Sequence, residues 1–328
     1  MVLVNFRIAM VAAPTDAARG LWGVILEGRA AATFVVLAGI GLGLSARGRT
    51  RRRTRRVTLV RSLFLLVLGL LNTVVFDADI LHYYAFYFLF GALCVGQRRG
   101  MLLGWIAVLN VAFFVLLITL DYEAGWNFDE LTYRGLWTVR GFTRSLFFNG
   151  WHPVVPWLSF LIFGLLLSRL DLRSAQTQTR LWISGIVLFA VAEGTSRVLG
   201  PLLAGIDPEL EILATTEPMP PLPLYMLAGA GAASAVTGVC LRLEPWLRRT
   251  GLLDALVPAG RQTLTLYLAH ILVGLGTLEA LGLLGDQSLP TSVLASSLFL
   301  TASVIFAWLW SRRFSRGPIE SVMHWGIR

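Results

Sequence analysis

Apolar residues in this chain fall in long runs rather than at the three- and four-residue spacings of a surface helix. Nine runs can be marked, at about 29–46, 57–76, 79–97, 101–120, 153–170, 181–200, 222–241, 262–284 and 291–311. A hydrocarbon core about 30 Å thick is crossed by around 20 apolar residues in helical form, because lipid offers backbone amides no other partner. The pattern predicts an all-α, polytopic membrane protein, with residues 1–328 forming a single membrane domain. The opening MVLVNFRIAMVA (1–12) is apolar but too short to cross, and it lacks the basic start and small-residue cleavage site of a signal peptide. It reads either as a short re-entrant start or as the outer half of a first helix that begins upstream of Met1. The second reading is adopted, which gives about ten membrane helices, the first truncated.

The connections between the runs alternate in charge. One set holds Arg47 through Arg56, Arg98, Arg99, Arg169, Arg173, Arg180, Arg242, Arg248, Arg249 and Arg261, and the tail adds Arg312, Arg313, Arg316 and Arg328. With Arg61, this side has 21 of the 28 basic residues and 4 of the 19 acids. The other side carries Asp16, Glu27, Asp77, Asp79, Asp121, Glu123, Asp129, Glu130 and the stretch from Asp207 to Glu217. The positive-inside rule places the arginine-rich loops and the C-terminus in the cytoplasm, so a multi-pass protein of a bacterial cytoplasmic membrane is expected. The net charge of +9 thereby becomes a topology signal, and no nucleic-acid partner is implied.

Composition agrees and removes several chemistries. The hydrophobic share is 56%, the charged share 14% and the mean hydropathy +0.69, far from a soluble domain. Every basic residue is Arg, so functions that need a lysine amine (a P-loop, a Schiff base, a Ser-Lys dyad) are excluded. Cys94 and Cys240 lie in apolar runs, and the four His show no ligand spacing, so no metal site is expected. The glycines at 39, 41 and 43 and the GAGAAS stretch at 229–234 lie inside spans and read as close helix packing, not nucleotide loops.

Two loops are long enough to hold structure. In 121–152, Phe128, Leu131, Val139, Phe142 and Leu146 recur at helical spacing, which predicts a helix lying in the interface. The loop 203–223 is acidic and then proline-rich, an irregular strap.

Ionisable residues at membrane depth are costly and become the candidates for function. Glu193 and Arg197 stand one turn apart and are expected to form a structural ion pair. Arg7 needs a partner from another helix, an outer-loop acid or a headgroup. His270 reads as a buried hydrogen-bonding residue or a base, and His152 as a belt or cap residue. The densest cluster is Asn72, Asp77, Asp79, His82, Tyr83 and Tyr84. Its acids and imidazole supply either a general base with its orienting partner or a simple helix cap from Asp79. Arg134, Arg140 and Arg144 run against the charge rule and suggest an anionic ligand, or an ion-paired loop with Asp129 and Glu130. The run 47–56 reads as a topology determinant or as a grip on the phosphates of a nucleotide-bearing donor.

Four stretches resemble the YeiB-like membrane proteins (domain-of-unknown-function family 418): MVLVNF, FDADIL, AGRQTLTLYLAH at 259–270 and RRFSRGPIE at 312–320. The likeness covers nearly the whole chain and most clearly about 180–328. This group is similar to the transmembrane acyltransferases, including the heparan-α-glucosaminide N-acetyltransferases. The resemblance implies transfer of an acyl group from cytoplasmic acyl-CoA, such as acetyl-CoA, to an extracytoplasmic acceptor, with no tightly bound cofactor. In the relatives a His shortly after the first helix and an Asn near its end act in catalysis. Asn5 matches that Asn, while residues 6–28 contain no His. The expected catalytic set is Asp79, His82 and Asn5. Arg7, Arg140, Arg144 and Arg261 are expected to bind substrate, and the partners are the bilayer and a cell-envelope glycan, lipid or secreted metabolite. The rival expectation is a transporter, export factor or flippase.

Overall fold

The computed structural model describes residues 1–11, 26–128 and 131–326. Arg19, Asp16, Asp129, Glu130 and Arg328 therefore lie outside the described residues. In chain order the elements are α1 (Val2–Met10), α2 (Arg29–Ala46), α3 (Arg51–Thr73), α4 (Leu81–Cys94) and α5 (Arg99–Thr119). A two-stranded hairpin of β1 (Trp126–Asn127) and β2 (Thr132–Tyr133) follows, then α6 (Val139–Asn149), α7 (Val154–Leu167) and α8 (Ala175–Ala204). The remainder is α9 (Pro223–Arg249), α10 (Leu252–Arg261), α11 (Thr263–Ala280), α12 (Leu289–Ser311) and α13 (Pro318–Trp325).

Among the described residues seven helices are long and apolar enough to cross a membrane: α2, α3, α5, α8, α9, α11 and α12. Helices α6 and α7 meet at a 49° bend and make an eighth if the pair is one span. The run at 79–97 yields only the 14 residues of α4, because Asp79 caps its start and Gly96, at φ +79°, lies just beyond its end. The run at 57–76 starts earlier than expected. The Thr50 hydroxyl accepts from the Arg53 N–H at 3.3 Å, and arginine is a good helix former, so most of the arginine run is helix and not loop.

The chain divides into two compact units. In the unit Gly28–Arg242, α2 packs on α7, α3 on α4 and α5 on α7. The small residues do what their spacing predicts: a Cβ on Gly39 would lie 2.1 Å from the Leu161 carbonyl oxygen, and one on Gly164 2.1 Å from that of Val36. Helix α3 shows the polarity of a membrane span. Thr54, Thr58, Ser62, Leu65, Gly69 and Asn72 face inward, while Leu59, Leu63, Val67 and Leu71 are exposed. With no hydrophobic drive toward the interior, lipid takes the large apolar side chains and helices meet through small and polar ones.

The second unit comprises Met1–Glu27 and Leu243–Arg328. Phe6 and Met10 of α1 pack with Leu278 of α11 and Phe299 of α12. Helix α12 repeats the polarity of α3, burying Ser292, Ser296 and Ser303 while Val293, Leu294 and Leu298 are exposed.

The loop 121–152 is not one interfacial helix. Among its described residues only Val139–Asn149 forms an α- or π-helix, and Trp126–Asn127 pairs antiparallel with Thr132–Tyr133, Trp126 opposite Tyr133. Asn149 organises the loop. Its amide donates to the carbonyls of Tyr122 (2.7 Å) and Ala124 (2.9 Å), and its side-chain oxygen accepts the Tyr133 hydroxyl at 2.8 Å. Trp126 adds its indole N–H to the Asn149 carbonyl at 2.6 Å. Tertiary hydrogen bonds of this kind outweigh a local apolar repeat. Burial pushes the Tyr133 phenol up, against the Arg144 charge and the Asn149 hydrogen bond, so it remains a neutral donor. The 203–223 strap is irregular as expected, with one 3-10 turn at Pro208–Ala214.

Candidate active site

The turn between α3 and α4 concentrates the polar chemistry of the larger unit. Asp79 is fully buried, and both of its oxygens are engaged. Oδ1 accepts from Asn72 Nδ2 at 2.7 Å. Oδ2 accepts the backbone N–H groups of Leu81 (2.7 Å) and His82 (3.2 Å), and also faces His82 Nδ1 at 3.2 Å. The cap and the orienting carboxylate, posed as alternatives by the sequence, are thus one residue. Asp77, two positions earlier, is exposed and takes no part.

The imidazole is held from below as well. Thr73 Oγ1, which donates to the Gly69 carbonyl at 2.8 Å, lies 3.4 Å from His82 Nδ1. With a carboxylate and a hydroxyl oxygen at Nδ1, the ring carries its proton there and presents its lone pair at Nε2. No hydrogen bond among the described residues engages Nε2. A buried Asp–His dyad with one unengaged basic nitrogen is the arrangement of a general base. Sequence spacing could not reveal Gly69. A Cβ there would lie 2.2 Å from the His82 backbone nitrogen, so glycine lets α3 approach α4 at this point.

Around the dyad, the Tyr83 ring stands 4.0 Å from that of His82, and its hydroxyl lies 3.1 Å from Ser145 Oγ on α6. Tyr87 donates to the His152 carbonyl at 2.6 Å, and His152 packs edge-on against Trp157. His152 is therefore a packing residue of the α6–α7 bend. Residues Ser145–Asn149 form a π-helical turn, an irregularity frequent at functional sites.

Asn5 and His270 belong to the other unit. Asn5 Nδ2 lies 2.8 Å from His270 Nε2, both buried, and His270 Nδ1 bonds the Tyr267 carbonyl. The Nδ1 partner is an acceptor, so Nε2 is the acceptor for the Asn5 amide. His270 also opens a π-helical turn, His270–Leu275. Arg7 forms an ion pair with Glu27, an acid just before α2.

The expected Glu193–Arg197 pair is replaced. Glu193 Oε1 bonds Arg29 at 2.6 Å and Oε2 accepts the Thr216 hydroxyl at 3.2 Å, while Arg197 is exposed. Arg29 is buried at the start of α2 and can satisfy a carboxylate in low dielectric without exposing it. Pairing along α8 would have left Arg29 as a buried charge without that partner. Of the remaining expected ligand-binding arginines, Arg144 donates to the Asp121 carbonyl at 3.0 Å, and Arg140 and Arg261 are exposed. Among the described residues no group of three His, Cys, Asp or Glu could hold a metal ion.

Comparison with known families divides the chain in two. Residues 1–198 match the model described as heparan-alpha-glucosaminide N-acetyltransferase, catalytic, and residues 209–328 match a protein family of unknown function, DUF418. No curated protein and no solved structure matches the chain.

Proposed function

Because the chain belongs to the heparan-alpha-glucosaminide N-acetyltransferase catalytic family, whose model spans residues 1–198 of its 328, we propose that it transfers an acyl group from acyl-CoA to an extracytoplasmic or cell-envelope acceptor. The arginine-rich end and the C-terminus face the cytoplasm of a bacterial cell in this reading. The observation that carries it is the buried Asp79–His82 dyad with its open Nε2. His82 Nε2 removes the proton from an acceptor hydroxyl or amine as that group attacks the thioester carbonyl. Asp79 stabilises the imidazolium so formed. Collapse of the tetrahedral intermediate forms the new ester or amide, breaks the carbon–sulfur bond, and returns the proton to the leaving CoA thiolate.

Purified protein in nanodiscs, supplied with labelled acetyl-CoA and a panel of glycan and lipid acceptors, should form labelled product. Asp79→Asn and His82→Ala should each lower the rate by about 10²–10⁴, the usual worth of a positioned base. Unchanged transfer in both variants would discard the dyad, and no transfer by the parent protein would discard the reaction.

A second reading, a transporter, export factor or flippase, is favoured by the Arg29–Glu193 pair, since buried ionisable pairs commonly mark substrate paths. Substrate flux into proteoliposomes without acyl-CoA, lost in Glu193→Gln, would select it.

A further inference from the structure

Two adjoining clefts open at the arginine-rich end of the Gly28–Arg242 unit. One, of about 240 Å³, is bordered by Arg47 and Arg169; the other, of about 370 Å³, by Arg51, Arg55 and Arg98. They share Val95, Gly96 and Gln97, the turn that links α4 to α5, so they form one continuous depression. Five guanidinium groups line it and no carboxylate does.

Arginine at a helix C-terminus has an ordinary explanation, since it satisfies the last carbonyls and the negative end of the dipole. Arg47 does this at the end of α7, and Arg51 and Arg169 bond carbonyls of the α4–α5 turn. Arg47 bonds the Ser168 carbonyl, Arg169 that of Gln97 at 2.7 Å, and Arg51 that of Gly96 at 3.4 Å. These contacts fix the three forks and leave the rest of their N–H groups directed elsewhere. Arg55 and Arg98 are not explained in this way. Neither makes a side-chain hydrogen bond or an ion pair among the described residues, yet both border the same cleft. Arg51 and Arg55 sit one turn apart on α3, on the same face.

Further along the same helix the positive charge continues. Arg61 is partly buried, its Nε has no hydrogen-bond partner, and the neighbouring charge acting on it is the like-charged Arg49. Positive charge gathered at close range in a concave site, without internal compensation, favours an anion. Planar forks held at several angles suit the tetrahedral oxygens of phosphate.

We infer that this cleft binds a phosphate-bearing ligand, with Arg55 and Arg98 as its principal contacts and Arg51 and Arg169 as oriented supports. The shared chemistry is the phosphate group, carried either by a soluble nucleotide or by an anionic lipid headgroup. The inference does not depend on acyl transfer.

The test uses the full-length protein. ADP and inorganic pyrophosphate are titrated against protein in neutral phosphatidylcholine nanodiscs, and phosphatidylglycerol retention is measured after delipidation by native mass spectrometry. The variant Arg55→Gln/Arg98→Gln is compared with Arg248→Gln/Arg249→Gln, which removes the same charge from the other unit. Binding of ADP or pyrophosphate that weakens tenfold or more only in the first variant supports the cleft with a soluble source. Phosphatidylglycerol retention lost only in the first variant supports it with a lipid source. Equal weakening in both variants, or no binding of any probe by the parent protein, overturns the inference. Acetyl transfer is assayed on the same samples, so its failure is read separately.

Discussion

Glu320 closes on Thr265. One carboxylate oxygen accepts the backbone N–H groups of Leu264 at 2.7 Å and Thr265 at 3.1 Å, and the other takes the Thr265 hydroxyl at 2.5 Å. The C-terminal helix α13 thereby supplies the N-terminal cap of α11 from 55 residues away. The stretches AGRQTLTLYLAH and RRFSRGPIE, which resemble the same family, meet at this contact. Gly317 keeps it tight, since a Cβ there would sit 2.2 Å from Glu320 Oε2. Loss of a cap costs about 0.5–2 kcal/mol. Glu320→Gln and Thr265→Val should each lower the melting temperature and expose residues 312–328 to protease. The double variant should cost less than the sum of the two, because both remove one interaction. Additive losses would show that the two residues act independently.

Gly69→Ala tests the contact beneath the dyad. The new methyl group meets the His82 backbone nitrogen at 2.2 Å and cannot fit without moving α4. Overpacking of this kind costs about 1–3 kcal/mol. The expected outcome is a modest loss of stability together with a large loss of the proposed transfer activity. Gly104→Ala, on an open face of α5, should change neither.

The Arg29–Glu193 pair gives a sign-specific prediction. Removing one partner of a buried pair strands the other, at about 3–5 kcal/mol, whereas replacing both with apolar residues can be nearly neutral. Arg29→Leu and Glu193→Leu should each destabilise strongly in a detergent melt, and the double variant should recover most of the loss. A double variant whose loss equals the sum of the two single losses would show that the two charges are not coupled.

Much of the architecture was legible because membrane helices announce themselves locally. The nine apolar runs each contain a helix, and their small-residue patches mark the α2–α7 contact at Gly39 and Gly164. Asp79 and His82 were legible for the same reason, being three residues apart. Contacts that join distant segments were not. The pattern along α8 offers Arg197 to Glu193 at one turn, and nothing local indicates that Arg29, 164 residues away, takes the carboxylate. Asn5 and His270 are 265 residues apart. The pairing of Trp126–Asn127 with Thr132–Tyr133 was hidden because the hydrogen bonds of Asn149 determine it, and these leave no periodic trace.

Helix α3 has 23 residues and rises about 33 Å from Arg51 to Thr73. It carries arginines of the phosphate cleft on its first turns and the Asn72 and Thr73 contacts to the dyad on its last. It therefore acts as a ruler inside the protein. An anion seated at Arg55 is about 21–27 Å along the helix axis from Gly69 and Thr73, the residues of α3 that meet His82, beyond the reach of any direct contact. Whatever links the two ends must be carried by the length of the ligand itself, by its passage along the helix, or by movement of α3 against α4 at the Gly69 crossing.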